Sequence, residues 1–563
     1  MLMRTLTVWF LSLAAASFFM LAFARTADDP AQKADQERKV DELLAAFDKP
    51  GSPGCSVGAV RNGSFIYKKS VGQASIELSV PLTSESVFYM GSVAKQFTAA
   101  SVLLAAEQGH LSLDDNVRKY LPELPDYGHP ITLRKMLHQT SGFRDFLDLL
   151  ILSGRDPSEN IPSGDVLKLI ARQKALNNVP GEEWIYSNSN YFLLGEVVRR
   201  ATGKSLAVFA AENIFQPLGM AHTLFYDDNS LVVPNRVAAY SPGKNGGFVV
   251  DWSTSYALVG GGGLMSTVDD LLLWERNFDS NKLGKGTLVK ELLEPGTLNN
   301  GSRICYAMGL FLSSYRGLPV VEHDGALFGY RAELLRFPEQ RFSVMALCNL
   351  SSAAPADLAH KIAEVYLQEN FAEAAGESNP STSWHDPSVF AGAYLDPRTK
   401  SIDTFVADHG ALFAGGSPLR RVGANKFYDL SGEEISFDNE HGSIQHGSMQ
   451  HGSMHVSVSM PGQLYFSGDK IQPPQLGASE LGRFTGAFHS SDLDATYTLA
   501  VRDGRLTVKK QGGSLILLDA VGPNEFHSSE IGTVVFAVNA GHRISGFGLF
   551  TDRARRIVFN KVN

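Results

Sequence analysis

Two hydrophobic rhythms divide the chain. Up to about residue 370, apolar positions fall at helical spacing in some stretches and alternate or run together in others, so helices and strands interleave. Ser56 to Val60 and Ser64 to Val71 read as strands joined through Asn62-Gly63, a pair that favours a tight hairpin turn. Val93 to Gln108 reads as a helix stopped by Gly109, Phe192 to Ala201 as a helix closed by Gly203, and Leu358 to Leu367 as a closing helix. The glycine run Gly260 to Gly263 leads into another helix, with Ser266 or Thr267 as its cap. Leu318 to Cys348 reads as several strands. Beyond Glu373 to Ser383, an Ala/Gly/Ser/Pro-rich stretch expected to be a linker, the helical period vanishes and short β-rich runs alternate with turns.

The β-rich part repeats itself. Phe390-Ala391-Gly392-Ala393-Tyr394 is echoed by Phe484-Thr485-Gly486-Ala487-Phe488, Gly410-Ala411-Leu412 by Gly504-Arg505-Leu506, and Val422 to Phe427 by Val521 to Phe526. The same motifs in the same order predict two copies of one small antiparallel β-barrel, over 384–472 and 478–563, with Ile471-Gln472-Pro473-Pro474 at the joint. Inside the first copy, His441, His446 and His451 each open a His-Gly-Ser unit. With Met449 and Met454 these could hold a soft metal, but a glycine in every unit works against a rigid ligand set. A duplicated hairpin tip is the simpler expectation, and no metal is assigned.

The amino terminus changes the picture of where the protein works. Arg4 precedes an apolar run from Leu6 to Phe23, and Ala22-Phe23-Ala24 suits cleavage after Ala24. Residues 1–24 are expected to be a signal peptide and the protein to be exported, periplasmic or secreted. An uncleaved segment would anchor it to the membrane. The 563 residues are 44% hydrophobic and 19% charged, which are globular values. Fifty Lys and Arg face 59 Asp and Glu, a net charge of −9, so the basic excess of a nucleic-acid binder is missing. Cys55, Cys305 and Cys348 permit at most one internal bridge; the apolar runs around Cys55 and Cys348 suggest buried thiols.

Candidate chemistry sits in three short motifs. Ser-x-x-Lys occurs at Ser92/Lys95, Ser241/Lys244 and Ser467/Lys470; the last two enclose Pro-Gly and Gly-Asp and read as turns. Only Ser92 opens a helix, where positions i and i+3 share a face and Lys95 reaches the Ser92 oxygen. A lysine of lowered pKa then activates a poor nucleophile. In Tyr186-Ser187-Asn188 the phenol suits proton transfer and the amide suits a substrate carbonyl. In His323-Asp324-Gly325-Ala326 the glycine admits a substrate backbone and the next amide suits an oxyanion.

Ser92-x-x-Lys95, Tyr186-x-Asn188 and His323-x-Gly325, in this order, resemble the serine β-lactamase and penicillin-binding-protein family. Leu137-His138-Gln139-Thr140-Ser141-Gly142 and Gly262 to Thr267 resemble its class C and esterase-like branch. The likeness covers roughly residues 40 to 370. A catalytic domain followed by two small β-barrels is similar to the D-aminopeptidase layout. The resemblance implies an α/β (α+β) β-lactamase/transpeptidase-like domain over 25–372, an antiparallel sheet flanked by helices. It also implies an acyl-enzyme on Ser92, proton transfer by Lys95 and Tyr186, and an oxyanion hole from the Ser92 and Ala326 amides. His323 is placed with the catalytic residues, and Asn188, Gly325 and Ala326 with substrate binding. No cofactor is implied.

Four hydrolase activities remain open: D-aminopeptidase, carboxylesterase, D-Ala-D-Ala carboxypeptidase and β-lactamase. A degenerate relative that binds peptidoglycan or peptides without turnover is the non-enzymatic alternative. The expected partner is a small peptide, amide or ester, with room for a homo-oligomer. His323 stands where relatives carry lysine. A neutral imidazole removes a permanent positive charge, so substrates without a free carboxylate are expected to be preferred. The two barrels carry none of the motifs and are expected to shape access or assembly without supplying a catalytic group.

Overall fold

Tyr330–Phe337 and Phe342–Cys348 are buried along almost their whole length because they lie inside a sheet covered on both faces. This computed structural model describes residues 30–251, 257–371, 386–429, 433–438, 454–460, 463–510, 513–539 and 543–562. The expected signal peptide, the 373–383 linker and the His441, His446 and His451 units lie outside the described residues.

The central sheet is antiparallel. Its strands are β1 (Cys55–Arg61), β2 (Ser64–Val71), β3 (Phe311–Tyr315), β4 (Leu318–Leu327), β5 (Tyr330–Phe337) and β6 (Phe342–Cys348), in the order β3-β4-β5-β6-β1-β2. Asn62 and Gly63 both take positive φ, 51° and 71°, the signature of the tight turn expected between β1 and β2. Alternate side chains serve two cores. Leu335 and Phe337 pack with Val40, Leu44, Leu358 and Ile362 from the two terminal helices, Pro30–Leu44 and Pro355–Leu367. Ala332 and Leu334 face the large helical core around Phe97, Leu193 and Trp274. The helix Ala94–Glu107 is buried on every side from Ala94 to Ala105, so its apolar residues show no stripe.

Cys55 and Cys348 face each other across β1 and β6 and form a disulfide, with Cα atoms 4.1 Å apart. Their burial is as expected; their pairing corrects the reading as thiols. The partners are 293 residues apart in sequence, and only the sheet register brings them together.

The repeated region forms two β units of different closure. Eight strands from Gly486–Ser490 to Ile557–Lys561 make a closed barrel. The first unit is a nine-stranded sheet whose end strands, Ser417–Pro418 and Arg420–Arg421, adjoin in sequence without pairing. Pro418 has no N–H to donate across such a seam. The cores nevertheless match: Phe390–Phe437 and Phe484–Phe536 centroids are each 4.7 Å apart, and Phe427–Phe437 and Phe526–Phe536 are each 5.8 Å apart. Ser467 to Lys470, expected as a turn, lies inside the strand Gln463–Lys470. A Cβ on Gly468 would fall 2.6 Å from the Phe466 ring, so that glycine serves close packing rather than a turn.

The closed barrel docks on the helix Phe146–Leu152. Tyr497 Oη donates to Leu152 O at 2.8 Å, and Lys510 Nζ to Ile151 O at 2.9 Å. Arg144 Nη1 meets Asp492 Oδ2 at 3.0 Å in a buried ion pair. One apolar core continues from the helices into Phe488 and Phe547 of the barrel. Among the described residues, no helix is long and apolar enough to cross a membrane.

The disulfide makes a stability prediction. Closing so long a loop restricts the unfolded chain and should contribute about 2–5 kcal/mol. Equilibrium denaturant unfolding with and without a thiol reductant should differ by that amount, and coincident curves would show that the bridge stabilises nothing.

Candidate active site

The sequence folds into a site because a helix start and a sheet edge meet at two glycines. Ser92 lies in the 3-10 turn Gly91–Val93, which runs directly into the helix Ala94–Glu107. Gly325 lies on β4 against that turn. A Cβ on Gly325 would fall 2.0 Å from Met90 O and 3.2 Å from Ser92 N; one on Gly91 would fall 2.6 Å from Ala326 N. Two bare backbones are therefore required for this approach. It sets the Ser92 and Ala326 amides side by side in the wall of a cavity of about 300 Å³.

Lys95 is fully buried beneath Ser92. Its Nζ lies 3.0 Å from Ser92 Oγ, 2.8 Å from Asn188 Oδ1 and 2.7 Å from Gly261 O. Burial pulls its pKa down to about 7, against the field of Asp145. As a free amine it has two N–H bonds and one lone pair. The two carbonyl oxygens accept the N–H bonds, and the lone pair is left for the Ser92 hydroxyl. That is the arrangement of a general base.

Tyr186 completes the group. It lines the cavity together with Ser92, and Lys95 Nζ lies 4.7 Å from its ring centroid. Burial pushes the phenol well above its ordinary range, so at rest it is a neutral donor and Lys95 is the base. Asn188 opens the helix Asn188–Thr202. Its oxygen is committed to Lys95, and its Nδ2 donates to Asp145 Oδ2 at 2.9 Å. The second Nδ2 hydrogen remains for a substrate carbonyl.

The structure thus brings together Ser92, Lys95, Tyr186, Asn188, Gly325 and Ala326. His323 is the departure. It is fully buried and is not among the residues lining the cavity. Nδ1 lies 2.7 Å from the Asp324 carbonyl, and Nε2 lies 3.3 Å from Tyr306 Oη. Burial lowers its pKa to about 4, so it is neutral as expected, but it braces the wall behind Tyr186 and does not reach substrate.

Sequence reasoning missed three participants. Asp145 caps the helix Phe146–Leu152 and holds both the backbone N–H and Nδ2 of Asn188. Gly261 supplies the second acceptor for Lys95. Arg553 arrives from the closed barrel, on the loop between its last two strands, and lines the cavity. Its guanidinium stacks on the Tyr186 ring, 4.9 Å from the centroid. The loop is pinned by Asp145 N and Asn177 Nδ2 donating to Arg553 O at 3.0 and 2.9 Å, and by Arg144 donating to Arg555 O and Arg556 O at 3.1 and 3.0 Å. A loop of the closed barrel therefore forms part of the cavity wall. The one available signal was three arginines within Thr551-Asp552-Arg553-Ala554-Arg555-Arg556.

A serine activated by a buried lysine, faced by a tyrosine and by two backbone amides at a sheet edge, defines a serine hydrolase. Residues 37–367 match the family described as Beta-lactamase, and the chain belongs to that family. The D-aminopeptidase of Cereibacter sphaeroides (strain ATCC 17029 / ATH 2.4.9) is 26% identical over 495 residues, covering 87% of this chain and 89% of that protein. The D-aminopeptidase of Gluconobacter oxydans (strain 621H) is 29% identical over 364 residues, covering 64% and 66%. Among solved structures, the octameric penicillin-binding protein homologue from Pyrococcus abyssi superposes with a TM-score of 0.54 at 19% identity, over 86% of this chain and 99% of that one. The D-amino acid amidase from Ochrobactrum anthropi SV3 gives 0.51 at 19% identity, over 60% and 99%.

Two outcomes test the geometry. A base at about 7 makes kcat/KM fall about tenfold per pH unit on the acid side, as Lys95 takes up its proton. A profile flat through pH 7 would remove Lys95 from that role. Gly325→Ala should lower kcat by about 10²- to 10³-fold, because the added methyl forces the oxyanion amides apart. Full activity in a folded Gly325→Ala variant would mean that these amides are not the oxyanion hole.

Proposed function

We propose that this chain is an exported serine amidohydrolase that releases D-amino acids from small peptides and amides through a Ser92 acyl-enzyme. The observation that carries the reading is the buried Lys95 amine, bound to two carbonyl acceptors and aimed at Ser92. The D-aminopeptidase relatives and the D-amino acid amidase neighbour support the substrate class. The leader-like first 24 residues and the Cys55–Cys348 bridge support export to an oxidising compartment.

The geometry supports the following steps. Ser92 Oγ attacks the amide carbon while its proton passes to Lys95 Nζ. The carbonyl oxygen gains the negative charge and accepts hydrogen bonds donated by the Ser92 and Ala326 N–H groups. Tyr186 passes a proton to the departing nitrogen and recovers it from Lys95, and the amine leaves. Water then attacks the ester by the reverse proton path and frees the acid.

A fluorescent phosphonate should label the wild type and not Ser92→Ala, whose turnover should drop by about 10³-fold or more. In a panel of D-amino-acid amides, D- and L-aminoacyl p-nitroanilides, short p-nitrophenyl esters and a chromogenic cephalosporin, the D-amides should give the highest kcat/KM. Labelling without hydrolysis of any amide would refute the amidohydrolase reading. Faster turnover of esters or of the cephalosporin would redirect it.

A further inference from the structure

The cavity contains a cation that the acyl-transfer steps do not use. Among the described residues lining it, Arg553 is the one that carries a permanent positive charge; Lys95 lies beneath the wall. The Arg553 side chain is exposed, with one face of its guanidinium against the Tyr186 ring. Asp145, Asp148 and Asp552 act on it through space, but none of them hydrogen-bonds it. Asp145 is occupied by Leu147 N, Asp148 N and Asn188, and Asp148 by Thr551 Oγ1. Arg553 itself lines the cavity, which places its guanidinium within reach of a bound substrate. A planar fork of N–H donors, oriented by stacking on an aromatic face and pinned through its own carbonyl, matches a carboxylate bidentately.

We infer that Arg553 is a specificity residue that binds a carboxylate of the substrate, so that the site prefers anionic peptides over neutral amides. This rests on the amidohydrolase reading and deepens it. It reverses the expectation drawn from His323. The strand position has indeed lost its charge, but a loop of the barrel returns one to the same cavity, beside the phenol that protonates the leaving group. Asp324 also lines the cavity and is 65% exposed, so an anion is repelled there and drawn towards Arg553. The recognised carboxylate belongs either to the departing residue, as a free carboxyl terminus, or to an acidic side chain of the residue that acylates Ser92.

The test uses the full chain and two matched pairs. D-Ala-D-Ala against D-Ala-D-Ala amide probes the departing side; D-glutamyl against D-glutaminyl p-nitroanilide probes the acyl side. In the wild type, at least one acid should exceed its neutral partner in kcat/KM by about 10- to 100-fold. Arg553→Gln should collapse that ratio towards one, mainly through KM, and Arg553→Lys should keep part of it. No preference for either acid in the wild type, or a preference that survives Arg553→Gln, would overturn the inference. Should the variants fail to fold, the wild-type ratios still decide. Calorimetric binding of N-acetyl-D-alanine and its amide to Ser92→Ala separates this inference from the amidohydrolase reading, because it needs no turnover. Tighter binding of the acid, or of D-glutamic acid α-amide over D-glutamine α-amide, supports the carboxylate site even where no amide is hydrolysed, and equal binding within both pairs refutes it even where amides are.

Discussion

The whole site depends on keeping one amine buried and uncharged. An ammonium removed from water is held only where opposite charge compensates it, and among the described residues no carboxylate bonds Lys95 directly. Its fixed partners are two neutral carbonyl oxygens, on Asn188 and Gly261. The nearest organised negative charge, Asp145, is separated from it by the Asn188 amide. Had Asp145 bonded Lys95 directly, the pair would be an ion pair and the amine would be unable to take the serine proton. The intervening amide passes on orientation without passing on the charge. That single constraint explains why Asn188 must open a helix here, and why Gly261 must present its carbonyl inward.

Asp145 then ties the chemistry to the architecture. The same carboxylate caps the helix Phe146–Leu152 and fixes Asn188, and the Asp145 N–H holds the Arg553 carbonyl. The base, the tyrosine motif and the barrel loop therefore share one residue of support. The buried Arg144–Asp492 pair lies one residue upstream and anchors the barrel against this junction. Removing one member would leave an uncompensated buried charge, which makes the docked arrangement specific as well as stable. Tyr186 gains from the junction directly. Its ring is contacted by Lys95 at 4.7 Å and Arg553 at 4.9 Å, so positive charge from two domains surrounds the phenol as it gives up its proton.

What could be read from the sequence is what is local. Ser92 and Lys95 are three residues apart on a helix start, Asn62-Gly63 forms its own turn, and Tyr186 and Asn188 come as one tripeptide. Glycine patterns gave the repeat, and the matching Phe triads of the two β units show the packing reason for it. The missed features all depend on register or docking between distant segments. Cys55 meets Cys348 because β1 pairs with β6, Gly261 meets Lys95 across the helix, and Arg553 enters from a domain with no motif of its own. Closure is equally non-local: two-residue end strands leave the first unit open while its repeat closes.

His323 shows why position in a motif and chemical role part company. A lysine there would bring a second amine towards Lys95 within one poorly solvated region, and each would disfavour the other's charge. The two sites already sense each other, since Lys95 helps to lower the His323 pKa after burial has done most of that work. A neutral imidazole bonded to the Asp324 carbonyl and facing Tyr306 fills the wall without that conflict. The protonation of Lys95 is then governed by burial, Asp145, Arg553 and Asp324. The positive charge that faces substrate sits instead on an arginine, which stays protonated whatever the pH of turnover. The base and the substrate-facing cation sit on different domains, and the Arg553 charge still helps to hold the Lys95 pKa down.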